Sequence, residues 1–233
     1  MESNNDILIL AIETSCDVCS VALSRNGVNT DSEMVTEVRM QTSRLAPMVD
    51  NLLSRNHIGV KDCSAVAVSS GPGSYTGLRV GVSLAKGLCF GAGIPLIGVG
   101  TLDLLAAQGA EAGPAADYIV PMIDARRMEV YQAVYDGNLG RATDIEPKIL
   151  DGDSYREWLE KGNVLFCGNG CSKFRDILDN PSAGFAPFNP DARYMAPLAY
   201  DLFCAGKFVD VAYFEPFYLK DFTISINKKK ILG

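Results

Sequence analysis

One order of features occurs twice along this chain. A continuous apolar run, Ile7 to Ile12, ends in a carboxylate, Glu13; a second apolar stretch, Cys19 to Leu23, follows and turns at Arg25-Asn26-Gly27. Further on, Tyr118 to Ile123 ends in Asp124, Val130 to Tyr135 follows, and Asp136-Gly137 turns again. Apolar runs bounded by turn residues read as buried strands, and their repetition implies two related α/β halves. The expected architecture is therefore two lobes, each a mixed sheet with flanking helices. They divide in the soft stretch Gly109 to Ala116: a first lobe over 1–112 and a second over 113–233, with the C-terminal segment packing back on the first. A ligand would belong in the cleft between them.

Helical spacing falls between these strands. Leu45, Met48, Val49, Leu52 and Leu53 form an apolar stripe, with Ser43 as its expected N-cap and Pro47 near its start. After a short strand, Ala65 to Val68, comes Ser69-Ser-Gly-Pro-Gly-Ser-Tyr-Thr-Gly-Leu-Arg79, and then a helix to about Phe90. A glycine-rich turn at a helix start offers backbone N–H groups to a phosphate. Gly71, Gly73, Ser74 and Thr76 are the candidate contacts. No Gly-Lys-Ser/Thr follows, so this is not a Walker A loop. A tight turn that binds nothing explains the same residues equally well.

Glu13, Thr14 and Ser15 at one strand end, and Asp124 at its counterpart, are the remaining candidates for a nucleotide or phosphate site. A strand-end carboxylate can hold a hydrated metal; the same groups can also do no more than satisfy local backbone. In Asp124-Ala-Arg126-Arg127 the arginines can clamp a phosphate or a partner carboxylate; exposed arginines paired with Glu129 are the simpler reading.

The chain contains a single histidine, His57, which excludes any two-histidine metal site. Its place in Arg55-Asn56-His57-Ile58-Gly59 reads as a helix end. The seven cysteines are an odd number spread through apolar stretches, which is reduced-thiol usage. Cys16-Asp-Val-Cys19 has no second pair to complete a zinc site. A net charge of −7 leaves only Lys228-Lys229-Lys230 as a basic run, so any RNA would be held mostly by a partner. No apolar run approaches bilayer length, and Met1 to Asp6 lacks the basic start of a signal peptide.

Several of these segments together resemble the TsaB (YeaZ) family. They are Ile7 to Ser15, the Gly71-to-Arg79 run, Ala85-Lys86-Gly87-Leu88, Ile94 to Val99, Asp124 to Arg127, Glu129-Val130-Tyr131 and Glu215-Pro-Phe-Tyr-Leu-Lys220. The match runs in order over nearly the whole chain and is loosest over 137–189. The resemblance implies the two-lobed fold of actin, the sugar kinases and the heat-shock-chaperone ATPases. It implies a cytoplasmic, non-catalytic scaffold in making threonylcarbamoyladenosine in tRNA, bound to a TsaD-like transferase and a TsaE-like ATPase, with tRNA met only through the complex. No cofactor is required; ATP or ADP with magnesium, where bound, should be held weakly by the Gly-rich loop. The transferase paralogue's His-x-x-x-His metal pair falls here on Thr101 and Leu105, so neither transferase nor peptidase activity is expected. Glu13 stands where the family usually has Asp. A nucleotide-hydrolysing enzyme of the sugar-kinase type is the alternative, and a metallopeptidase a more distant one.

The partner surface is expected on the two first-lobe helices. Leu45, Met48, Val49 and Leu52 would supply one part, and Gly77, Gly81 and Ala85, spaced four apart, the other, with Arg126 as a further contact. Through the resemblance, the same surface would make a homodimer when the transferase is absent.

Overall fold

The computed structural model describes residues 6–37 and 41–220. The Lys228–Lys230 run and the first residues lie outside it. Two sheets are present. In the first, β1 (Leu8–Glu13), β2 (Cys19–Arg25), β3 (Val28–Val35), β4 (Ala65–Ser69) and β5 (Leu96–Val99) stand in the order β3-β2-β1-β4-β5. In the second, β6 (Tyr118–Asp124), β7 (Glu129–Gln132), β9 (Glu146–Ile149), β10 (Val164–Cys167) and β11 (Ala183–Ala186) stand in the order β11-β10-β6-β7-β9, and β8 (Tyr135–Asp136) pairs the start of β6. β1 is antiparallel to β2 and parallel to β4, just as β6 is antiparallel to β7 and parallel to β10. The duplication thus extends to sheet order and strand direction. This is the expected pair of mixed sheets.

The helices are α1 (Gln41–Arg55), α2 (Tyr75–Ala92), α3 (Thr101–Ala112), α4 (Arg156–Leu159), α5 (Cys171–Arg175) and α6 (Met195–Cys204). α1 begins two residues before Ser43, so Ser43 is not its N-cap and Pro47 lies inside the helix. Its end is a Schellman motif. His57 is left-handed (φ 58°), its N–H bonds to the Ser54 carbonyl at 3.0 Å, and the Ile58 N–H bonds to Leu53 at 3.1 Å.

Strand alternation divides the first core in two. Leu8, Leu10 and Ile12 pack with α1 and α2, and Ile9 and Ala11 face Leu104, Met195 and Ala199. The third helix of each half reaches the other half's sheet. Leu102, Leu105 and Ala106 of α3 pack with Ile119, Ile123 and Leu165 of the second sheet, while α6 covers the first sheet. α3 therefore lies between the two sheets, with Leu104 on the first and Leu102, Leu105 and Ala106 on the second, and α6 packs back from the C-terminal part of the chain onto the first sheet.

After α6 the chain returns along the first lobe. Val209 bridges Leu96, the Lys86 ammonium donates to the Ala212 and Phe214 carbonyls at 2.9 and 3.1 Å, and the Phe217 N–H bonds to Ser70 at 2.7 Å.

Candidate functional site

A cleft of about 680 Å³ opens between the C-terminal ends of β1 and β6 and the start of α2. Its walls include Ser15, Asp17, Gly73, Ser74, Thr76, Asp124, Arg126 and Asn169, and the returning segment Phe217 to Lys220. The Gly-rich loop is pressed onto the end of β1. The Ser74 N–H donates to the Ser15 carbonyl at 2.6 Å, and a Cβ on Gly73 would lie 2.4 Å from that oxygen. The Ser74 hydroxyl caps α2 by accepting from the Gly77 N–H at 3.2 Å. Arg79 does not enter the cleft wall but lies over the Tyr75 ring at 4.0 Å, and that ring contacts Tyr218 at 4.8 Å.

Ser15, Gly73, Ser74, Thr76 and Asp124 thus line the cleft, as does Arg126. Three expected site residues do not. Gly71 is left-handed (φ 105°) beneath the returning chain, where a Cβ would lie 2.4 Å from the Phe217 carbonyl. Thr14 is fully buried against Gly77 and Gly81 of α2. Glu13 is 1% exposed, with one oxygen accepting the Ser15 N–H at 2.5 Å and the other without a partner. Burial is the main cause that raises its pKa to about 7; the Ser15 and Ser69 groups beside it oppose this, and nearby Asp191 adds to it.

Asp124 is already engaged. Its Oδ1 accepts the Lys173 ammonium at 2.5 Å and the Arg126 N–H at 2.7 Å. Among the described residues no group of three or more His, Cys, Asp or Glu is placed to hold a metal ion. The cleft therefore offers hydroxyls and a helix N-terminus to phosphate oxygens, with Asp17 as its one exposed carboxylate lacking a side-chain partner among the described residues.

Sequence reasoning missed Asn169 and Lys173. Gly168-Asn169-Gly170 reads only as a turn, yet by the duplication it is the counterpart of Gly71-Pro72-Gly73. That correspondence was the signal available. Asn169 joins the lobes: its Oδ1 accepts the Asp124 N–H at 3.0 Å and its Nδ2 approaches Cys16 Sγ at 3.2 Å.

The expected partner residues also need correction. Leu45, Met48, Val49, Leu52 and Ala85 are buried in this chain's own core. Gly77 and Gly81 are occupied by Thr14, which a Cβ on either would approach to 2.0 or 2.2 Å. The sheet covers the whole stripe because these small residues let α2 settle directly on β1. Arg126 is exposed at the cleft rim.

Comparison with known proteins gives a consistent result. The family model described as TsaD, tRNA N6-adenosine threonylcarbamoyltransferase, matches residues 38–202. The tRNA threonylcarbamoyladenosine biosynthesis protein TsaB of Escherichia coli is 35% identical, over 97% of this chain and 98% of that protein. Its namesake in Haemophilus influenzae is 31% identical, over 98% of each. The solved structure of YeaZ from Pseudomonas aeruginosa superposes with a TM-score of 0.81 at 28% identity, covering 91% of this chain and all of that one. A transferase from Desulfitobacterium hafniense is 38% identical, but over only 43% of this chain and 34% of its own length. With near-complete coverage by TsaB proteins, and only partial coverage by the transferase, the chain belongs to the TsaB (YeaZ) family.

Proposed function

We propose that this chain is a non-catalytic subunit of the machinery that forms threonylcarbamoyladenosine in tRNA, and that it holds a TsaD-like transferase and a TsaE-like ATPase in place. The observation that carries the reading lies at the start of α3. The positions that the family resemblance sets against the transferase's histidine pair are Thr101 and Leu105; both have no exposed surface, and Leu105 sits in the apolar core. The one histidine, His57, ends α1. The sugar-kinase alternative is weakened by the burial of Glu13 and the pairing of Asp124. Action in the cytoplasm, with tRNA met through the partners, fits the acidic chain; no helix among the described residues is long and apolar enough to cross a membrane.

The partner face is the outward side of α2. Gly87 and Gly91 are exposed with open space where a Cβ would stand, Val80, Leu84 and Leu88 are half-buried beside them, and Phe90 is 86% exposed. A helical glycine costs about 1 kcal/mol relative to alanine, and here no packing among the described residues offsets it. Close approach of a second helix would. The same face serves a second copy of the chain when the transferase is absent.

The test is Gly87→Arg, read by light scattering alone and by gel filtration and pull-down with the transferase and the ATPase, after circular dichroism confirms the fold. Both the homodimer and the heterodimer should be lost. If both persist at wild-type affinity, α2 is not the interface.

ATP or ADP with magnesium is expected to enter the cleft weakly and is not required. The loop supplies phosphate contacts, but Glu13 and Asp124 are not free to hold a hydrated metal.

A further inference from the structure

The turn between β6 and β7 puts long side chains where a hairpin turn usually has glycine or asparagine. Arg126 and Arg127 are both left-handed, with φ of 72° and 47°, a region that side chains with a Cβ resist. The β2–β3 turn gives its left-handed pair to Asn26 and Gly27, residues suited to it. What holds the arginines is Lys173 of α5. Its side chain is 17% exposed, and its ammonium donates to Asp124 Oδ1 at 2.5 Å, to the Arg127 carbonyl at 2.7 Å and to the Glu129 carbonyl at 2.9 Å. All three of its donors are thereby used. Asp124 completes the brace by accepting the Arg126 N–H. Among the described residues neither guanidinium has a hydrogen-bond or ion-pair partner, and Arg126 shares the cleft with Gly73, Ser74 and Thr76.

We propose that Lys173 is a positioning residue, pinning this turn so that the Arg126 guanidinium is held unpaired in the cleft wall as a clamp for the phosphate oxygens of a nucleotide. The ligand class rests on the nucleotide reading above. The strain is explained by this use: a relaxed turn would let the arginine swing to a nearby carboxylate, whereas the pin satisfies Asp124 and keeps the second cation available. Lysine suits the pin because its three donors can converge on three acceptors, which a planar guanidinium fork cannot.

The experiment uses the full chain. Binding of ATP with magnesium is followed by calorimetry, and amide exchange is followed over residues 125–129. Lys173→Met should speed exchange in the turn and weaken ATP binding about tenfold, the scale of one lost charge-assisted contact. Arg126→Ala should weaken binding as much while leaving exchange near wild type. Adding Arg127→Gly to Lys173→Met places glycine at a left-handed position and should restore both. Unchanged exchange in Lys173→Met overturns the pin. Faster exchange with unchanged affinity overturns the clamp. A defect that glycine does not relieve overturns the positioning role and makes Lys173 a general support of the fold. If the wild-type chain takes up no ATP, the nucleotide reading fails and the clamp with it, while exchange still decides the pin.

Discussion

Gly77→Ala is expected to destabilise the fold strongly, whereas Gly87→Ala, on the same helix, makes it more stable. A Cβ on Gly77 would stand 2.0 Å from the Thr14 carbonyl oxygen, a backbone atom at the end of a central strand. Neither the strand nor an 18-residue helix can retreat without opening the core between them. Overpacking costs of 1–3 kcal/mol apply where side chains can yield; against backbone the loss should be at least ~3 kcal/mol, a large part of the 5–15 kcal/mol that holds a typical domain together. At Gly87 the new methyl meets nothing within 4 Å, so only helix propensity changes, a gain of about 0.5–1 kcal/mol. Urea unfolding of both variants, with the slope checked for constancy, measures the contrast. Equal shifts in the two midpoints would mean that α2 does not lie on β1 as described. If Gly87 also meets the partner, the stabilised variant should bind the transferase less tightly, a stability gained at the cost of assembly.

These two glycines show where sequence reading succeeds and where it stops. The strands, the glycine turns and the duplicated order were legible because each is local: an apolar run, a breaker, a carboxylate. The spacing of Gly77, Gly81 and Ala85 correctly marked a face that something approaches closely. It does not say whether the neighbour is this chain or another. Moving ten residues to Gly87 rotates the stripe by roughly 80° about the helix, and which side meets the sheet is settled only by tertiary packing. The placement of α3 between the sheets and of α6 on the first sheet is invisible for the same reason, since each helix is apolar enough to cover either. In the second half, β9 and β11 are four-residue edge strands with too little alternation to register. The cleft was legible in its glycine loop and in Asp124. Lys173 was not, because its role depends on two carbonyls and a carboxylate brought to it from another element.

Glu13 could have been placed from strand parity, and its placement leads to the other large effect. Ile9, Ala11 and Glu13 share one face of β1, away from the face that meets α1 and α2. Its carboxyl is buried there with one oxygen unpartnered and a pKa raised to about 7, burial being the main cause. The ordinary value is 4.5. Between these values the unfolded chain has lost the proton and the folded chain still holds it, so unfolding releases a proton. Stability therefore falls as pH rises from about 4.5 to about 7 and levels off above. At pH 8 the full penalty is present, on the order of 3 kcal/mol at 1.36 kcal/mol per unit of pKa difference. Glu13→Gln keeps an acceptor for the Ser15 N–H and removes the titrating charge. Its stability should match wild type near pH 4 and exceed it by about that amount at pH 8. Subtracting the two pH profiles cancels groups that both proteins share, including Asp31, whose pKa is lowered to about 2, chiefly by its Arg55 hydrogen bond. Glu13 lies outside the cleft wall, so binding of ATP with magnesium at pH 8 should be nearly unchanged. Denaturant unfolding of both proteins at pH 4, 6 and 8 tests the claim; a difference that does not grow with pH would show that Glu13 is ionised in the fold, and a loss of binding would return it to the site.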